Sequence, residues 1–314
     1  MFTLGAAENE FPYHSLQVHS LRISLRLRGR AILPSFKGST FRGLLGRTLL
    51  DAFCPKKIEG CLECKNVSEC PYPNFFKPHL ARAGRSTPAP YVVVPAIDKR
   101  THLSQGETVE FELRIFGVAL KWLPFILAAM FQGGERGALG TNRARFDIVK
   151  PIPPAQGSDP ASWASARIEG LQTKKARDLI TARTPIRAIR FATPCKLKEH
   201  GMVLGEIRGE TLLRALERRI AGLNHFYAQP PSASSTLHWS ELPRLETELG
   251  ELSWVILERP STTQVERVNI GGWVGRLLVR FYNNSAESLL RLGQWTHVGK
   301  NTVYGCGKIL LEEI

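Results

Sequence analysis

The sequence predicts an α+β protein made of two tandem ferredoxin-like domains, each running β-α-β-β-α-β, with a small cysteine-rich insertion in the first. Three observations carry this expectation. Short runs alternate apolar and polar residues, the mark of strands, and between them apolar residues recur at helical spacing. The order of these elements in the first half of the chain recurs in the second. Each half closes in the same way, with an apolar helix, a glycine-punctuated loop and a last strand.

In the first half, Leu21, Ile23, Leu25 and Leu27 alternate with Arg22, Ser24, Arg26 and Arg28, a strand with one apolar and one basic face. Gly38-Ser39-Thr40 starts a helix whose Phe41, Leu44, Leu45, Leu49 and Ala52 share a face. The insertion occupies residues 54–73. Strands follow over Tyr91 to Ile97 and Val109 to Ile115. Leu120 to Gln132 reads as a buried helix, with Pro124 tolerable in its first turn and Gly133-Gly134 as its stop. Gly137 to Gly140 then leads into a basic strand, Arg143 to Val149. These elements delimit a domain over residues 1–150, followed by a Pro-, Gly- and Ser-containing linker over 151–177.

The second domain, residues 178–314, repeats the order. Pro185 to Cys195 is strand-like, and Leu212, Leu213, Leu216, Ile220, Leu223 and Tyr227 mark one face of a helix from Glu210 to Tyr227. A polar loop containing Pro230-Pro231 precedes strands over Leu252 to Leu257 and Trp273 to Tyr282. Asn284 with Glu287 suggests a capping box before the helix that carries Leu289, Leu290, Leu292 and Trp295. A glycine-rich loop over 299–307 hands over to a last strand, Lys308 to Leu311.

The chain has 314 residues, 43% of them hydrophobic, enough to bury two cores. Its 42 Lys and Arg against 28 acids give a formal charge of +14 and a pI near 9.8. That balance points to a polyanionic partner, nucleic acid before membrane. The longest apolar run, Trp122 to Phe131, is about half the ~20 residues of a spanning helix. Met1 to Glu10 does not read as a signal peptide. The expectation is a cytoplasmic protein with reduced thiols and no membrane partner. A four-stranded sheet with helices on one face leaves the other open, and RNA-binding modules of this topology hold single strands there. The first-strand arginines would project onto that face.

One C-terminal segment is more specific. Ile270-Gly-Gly-Trp-Val-Gly-Arg-Leu-Leu-Val279 is followed by Leu292-Gly-Gln-Trp-Thr-His297-Val-Gly-Lys300-Asn-Thr-Val-Tyr304-Gly305-Cys-Gly307. It resembles the C-terminal signature of the CRISPR precursor-RNA processing endoribonucleases of the RAMP superfamily, whose domains are of this RRM-like type. Phe41-Arg42-Gly43-Leu-Leu-Gly46 resembles the first-helix motif of the family. Cys54, Cys61, Cys64 and Cys70, followed by Pro71-Tyr72 and Phe75-Phe76, resemble the cysteine-rich insertion of one branch.

The resemblance implies metal-independent cleavage of precursor CRISPR RNA within its repeats by 2′-hydroxyl attack, leaving a 2′,3′-cyclic phosphate. The alternative within the superfamily is a non-catalytic guide-RNA-binding subunit of a CRISPR effector complex. A basic protein acting on other RNA is the third reading. Such cleavage needs a base, an acid and a cation at the phosphate. His297 is the first candidate for base or acid and Lys300 for the phosphate contact, with His14 as a secondary candidate. Family members that place their histidine on or near the first helix differ from this chain, where Lys37, Thr40 and Arg42 stand in that region. Arg22, Arg26, Lys37, Arg42, Arg143 and Arg145 are candidate RNA contacts. Gly299, Gly305 and Gly307 would let loop amides approach a phosphate, and Tyr304 would stack on a base or simply pack. Four cysteines within 17 residues, Cys54, Cys61, Cys64 and Cys70, fit a closed structural zinc site. Cys195 and Cys306 read as buried core thiols.

Overall fold

A computed structural model describes residues 11–54, 60–81, 87–181, 184–229, 242–259 and 267–313. Met1 to Glu10, the loop at Pro230-Pro231 and His238 lie outside the described residues. The chain divides into two compact units, one of residues 19–173 and one in which the residues up to Val18 join those from Lys174 onward.

The first unit contains β1 (Gln17–Leu27), which enters it at His19, the short β2 (Ala31–Ile32) and α1 (Gly38–Phe53). The insertion follows, returning through α2 (Pro71–Phe76) and α3 (Pro78–Ala81). Then come β3 (Tyr91–Pro95), β4 (His102–Leu103), β5 (Thr108–Phe116), α4 (Leu123–Arg136), β6 (Phe146–Lys150), α5 (Pro160–Ser165) and β7 (Gln172–Lys175). The sheet order is β3-β5-β1-β6, with β7 also paired to β1. In sequence terms that is second-third-first-fourth, the ferredoxin-like order, and the β1–β6 and β3–β5 pairs are antiparallel.

Leu21, Ile23, Leu25 and Leu27 are buried as the alternation requires, and Phe41 of α1 stacks on Phe111 of β5 with ring centroids 4.5 Å apart. The residues expected to link the domains carry α5 and β7, and the Trp163 indole of α5 is buried. The Gly117–Arg136 helical stretch is long and apolar enough to span a bilayer by composition, yet 61% of it is buried inside the fold, as in a core helix.

Gly133 and Gly134 do not stop α4, which continues to Arg136 and ends at Gly137 with φ 73°. Their role is close packing. A Cβ on Gly133 would lie 2.2 Å from Thr48 Cγ2 of α1, and one on Gly134 would lie 2.3 Å from the Phe146 carbonyl oxygen.

The second unit contains α6 (Ala176–Leu179), β8 (Ile186–Cys195), the hairpin β9 (Lys198–Glu199) and β10 (Met202–Val203), and α7 (Gly209–Tyr227). They are followed by β11 (Leu245–Val255), the hairpin β12 (Glu258–Arg259) and β13 (Val268–Asn269), β14 (Gly272–Tyr282), α8 (Asn284–Thr296) and β15 (Ile309–Glu313). The order β11-β14-β8-β15 repeats that of the first unit. Leu212, Leu216, Ile220 and Leu223 of α7 and Leu289, Leu290 and Leu292 of α8 are fully buried. The cap of α8 is Asn283, one residue before the expected position; its side chain accepts from the Ala286 amide at 3.1 Å. Glu287 serves another purpose. It pairs at 2.8 Å with Arg291, a buried guanidinium that also donates to the Thr184 carbonyl at 2.8 Å.

Replacing Phe41 with Ala removes a ring that is 0% exposed and stacked. The first unit is expected to lose about 3–5 kcal/mol, measured as a fall in its urea midpoint.

Candidate functional site

The glycine-rich loop joins α8 to β15, and its backbone is set by residues with positive φ. His297 ends α8 at φ 57°, Asn301 is left-handed at φ 64°, and Gly299, Gly305 and Gly307 follow at φ 82°, 83° and 68°. Two of these glycines stand where the backbone crosses itself. A Cβ on Gly307 would lie 1.8 Å from the Val298 carbonyl oxygen, and one on Gly299 would lie 2.6 Å from that of Lys196. The loop is pinned to the end of β8: Gly307 N–H donates to the Pro194 carbonyl, and Lys300 N–H to that of Lys196, each at 2.9 Å. The Thr193 hydroxyl donates to the Gly305 carbonyl at 2.7 Å and accepts from the Lys308 amide at 2.9 Å.

These bonds correct one expectation. The amides of Lys300, Gly305 and Gly307 already donate to carbonyls of the protein, so they are not presented to a phosphate. Gly305 and Gly307 therefore serve the shape of the loop itself. Lys300 is exposed. Tyr304 is half-buried, with the Arg259 guanidinium 4.7 Å from its ring centroid.

His297 is 0% exposed, and its Nδ1 lies 3.1 Å from the Cys306 carbonyl oxygen. A carbonyl can only accept, so Nδ1 carries the proton and the ring ties the start of the loop to its end. Arg219 supports the same junction, donating from Nε to the Thr296 carbonyl at 2.6 Å, where a cation meets the negative end of α8. Burial pushes its pKa down to about 10, partly opposed by Tyr227, so it remains charged at neutral pH. His14, in the same unit, is exposed, with Nδ1 3.1 Å from the Phe11 carbonyl oxygen.

In the first unit the candidate arginines divide. Arg22, Arg143 and Arg145 are exposed, and Arg143 sits at φ 51°. Arg26 lies 3.8 Å from Asp147. Arg28 pairs with Asp147 and with Glu135, the latter at 2.7 Å. Arg42 lies over the Phe76 ring, 4.9 Å from its centroid. Lys37 departs from expectation. It is 2% exposed and its ammonium donates to the Asp98 carbonyl, so it anchors the entry to α1 and is closed to RNA. Burial, more than any neighbouring charge, holds its pKa below the usual lysine range. The sheet face expected to be open is also closed over part of its area: Ser24, Val92, Val94 and Arg114 on that face are buried.

The four insertion cysteines, Cys54, Cys61, Cys64 and Cys70, are free thiols lining one cavity of about 670 Å³. Burial first, then the neighbouring cysteines, hold the Cys70 thiol above its ordinary pKa. Among the described residues no three metal-binding side chains converge into a formed site. The donor set of four thiols on one cavity nevertheless has the chemistry zinc prefers. Sequence reasoning missed Lys196 and Arg259, which touch the glycine loop, and Trp254, which packs on Lys196; only their residue types signalled them.

Residues 189–309 match the family described as CRISPR-associated endoribonuclease Cas6, and residues 16–156 match a family described as an N-terminal domain. An uncharacterized protein of Archaeoglobus fulgidus is 30% identical over 142 residues, 45% of this chain and 48% of that protein, so the match spans about half of its length. A Cas6 product complex superposes with a TM-score of 0.53 at 14% identity, covering 94% of this chain and 100% of that one. A Thermus thermophilus Cas6 gives 0.50 at 15% identity, covering 95% and 99%. The Cas6-bearing chain of a Cas6-RT-Cas1–Cas2 complex gives 0.53 at 12% identity, covering 95% of this chain and 29% of that one. The structural likenesses establish the fold, and the family matched over residues 189–309 is the one that the signature residues resemble.

Gly307→Ala is expected to destabilise the second unit strongly, because the added methyl meets the Val298 carbonyl at a strained φ. Gly43→Ala is the contrasting case, a helical position with no neighbouring atom within 4 Å of the new Cβ. It should gain roughly 0.5–1 kcal/mol. Thermal melts of the two variants check both signs.

Proposed function

We propose that this chain is a CRISPR-associated endoribonuclease that cuts precursor CRISPR RNA within its repeats. The observation that carries the reading is the pinned glycine loop presenting exposed Lys300 inside the segment that matches the Cas6 family. In the proposed reaction the ribose 2′-oxygen attacks the adjacent phosphorus as its proton passes to a base. The bond to the 5′-oxygen breaks as that oxygen takes a proton from an acid. The products are a 2′,3′-cyclic phosphate and a 5′-hydroxyl, and no step requires a metal. Lys300 offsets charge on the phosphorane. Buried His297 positions the loop, while His14, exposed on the same unit, has access to solvent for proton transfer. Arg22, Arg26, Arg143 and Arg145 supply backbone contacts. We also propose that the insertion cysteines bind one structural zinc, and that repeat RNA and other CRISPR proteins are the partners.

One observation favours a second reading. The histidine of the signature loop is fully buried, as a guide-RNA-binding subunit without nuclease activity would permit. Incubation with the CRISPR repeat RNA of the same genome, in EDTA, separates the two. One defined cut with a cyclic phosphate end supports the endoribonuclease; tight binding without a cut supports the subunit.

In single-turnover assays at saturating enzyme, His14→Ala should slow cleavage by about 10²–10⁴-fold if it transfers the proton. Lys300→Ala should weaken both binding and rate. A rate loss in His297→Ala with a normal melting temperature would return proton transfer to that ring. The logarithm of RNA affinity should fall with the logarithm of salt, by about 0.7 per phosphate neutralised, as read by fluorescence anisotropy. Elemental analysis of chelator-free protein should find one zinc per chain; none, with four titratable insertion thiols, would remove that site.

A further inference from the structure

Next to Lys196, which holds the glycine loop, lies a pair of indoles, one of them within the signature segment and neither given a role by it. Trp254 of β11 and Trp273 of β14 are register partners, and their rings meet edge to face with centroids 5.4 Å apart at 84°. Trp273 is held in place by its Nε1–H, which points at the Leu204 carbonyl at 3.5 Å. Trp254 is 37% exposed, and Ile256, two residues on, is 75% exposed.

Lys196 connects this pair to the loop. Its carbonyl accepts the Lys300 amide at 2.9 Å, while its Nζ donates to the Asn269 carbonyl at 3.1 Å and lies 5.8 Å from the Trp254 ring centroid. Asn269 pairs with Glu258 in the β12–β13 hairpin, and the next residue, Arg259, covers Tyr304. The loop is thus flanked by two cation–aromatic pairs, with Lys300 exposed between them in the chain of contacts.

An indole fixed by a second indole and flanked by an ammonium matches a nucleotide on both counts. A base stacks on the ring, and its phosphate meets the lysines. An apolar partner would leave Lys196 and Lys300 unused, and an acidic one would leave the ring unused. We infer that Trp254 and Lys196 form a stacking subsite for one unpaired nucleotide of the RNA, next to the phosphate contacted from the glycine loop. This inference rests on the endoribonuclease reading and adds to it a position at which an unpaired base is required.

The test uses the full chain and fluorescein-labelled CRISPR repeat RNA from the same genome, intact or with a single abasic site moved along it. Trp254→Ala should weaken binding of intact repeat by about 5- to 150-fold, the range for one stacked base, and Trp254→Phe should restore most of it. At one position, an abasic site should weaken wild-type binding to the same degree while costing Trp254→Ala nothing further. If no position shows this coupling, or if Trp254→Ala binds as wild type does, the subsite is overturned, even where wild-type protein cleaves the repeat normally. Wild-type protein that neither binds nor cleaves the repeat would instead overturn the endoribonuclease reading, and the subsite with it. Loss of a dimer in Trp254→Ala, seen by sedimentation with RNA affinity retained, would assign the face to a second copy of the chain and overturn the subsite.

Discussion

The backbone crossing between the glycine loop and the end of β8 is the constraint on which the C-terminal site depends. Val298 and Gly307 approach so closely that a single added carbon on Gly307 would sit 1.8 Å from a carbonyl oxygen. That approach lets the amides of Lys300 and Gly307 reach the carbonyls of Lys196 and Pro194. It also closes the His297 ring against the Cys306 carbonyl. The amides of Lys300, Gly305 and Gly307 are consumed by folding, while the Lys300 side chain is carried outward. The internally bonded loop fixes the Lys300 backbone and leaves its exposed side chain free to move.

The first unit reaches a similar arrangement with different residues. Its helix α4 ends in a glycine with positive φ where α8 ends in His297, and Gly137 likewise meets a carbonyl, that of Arg143, at 2.4 Å from a would-be Cβ. Gly134 and Gly133 extend the close approach into the helix itself. Three neighbouring glycines therefore serve contact between α4 and its surroundings, and one of them also terminates the helix.

The basic excess is distributed unevenly in its uses. Arg28, Arg114 and Arg291 pair with carboxylates of their own unit, and Lys37 and Arg219 hold carbonyls. These cations stabilise local structure and contribute less than the unpaired ones to the exposed positive surface. The exposed candidates are a smaller set, Arg22, Arg143, Arg145 and Lys300 among them. A formal charge therefore indicates the class of partner but does not map its contacts.

The sequence by itself determined the main strands and helices of the two ferredoxin-like units and their order, though not α5, β7 or the short hairpins. Period-two alternation at Leu21 to Leu27 and the single apolar face of α7 follow from local geometry, which every residue reports through its own polarity. The order then narrowed the sheet topology to a few arrangements, because short right-handed connections exclude most others. The signature around His297 located the loop. What the tertiary structure decided is which of those residues face solvent. Lys37 and His297 look like surface chemistry in the sequence, yet the fold buries them: Asp98, distant in the chain, lies beside one, and Cys306, across the turn of the loop, beside the other. Trp254, Lys196 and Arg259 carry no local pattern, and they meet the loop only because β8, β11 and the β12–β13 hairpin converge on it. Burial and convergence are properties of contacts between distant residues, and no window along one chain contains them.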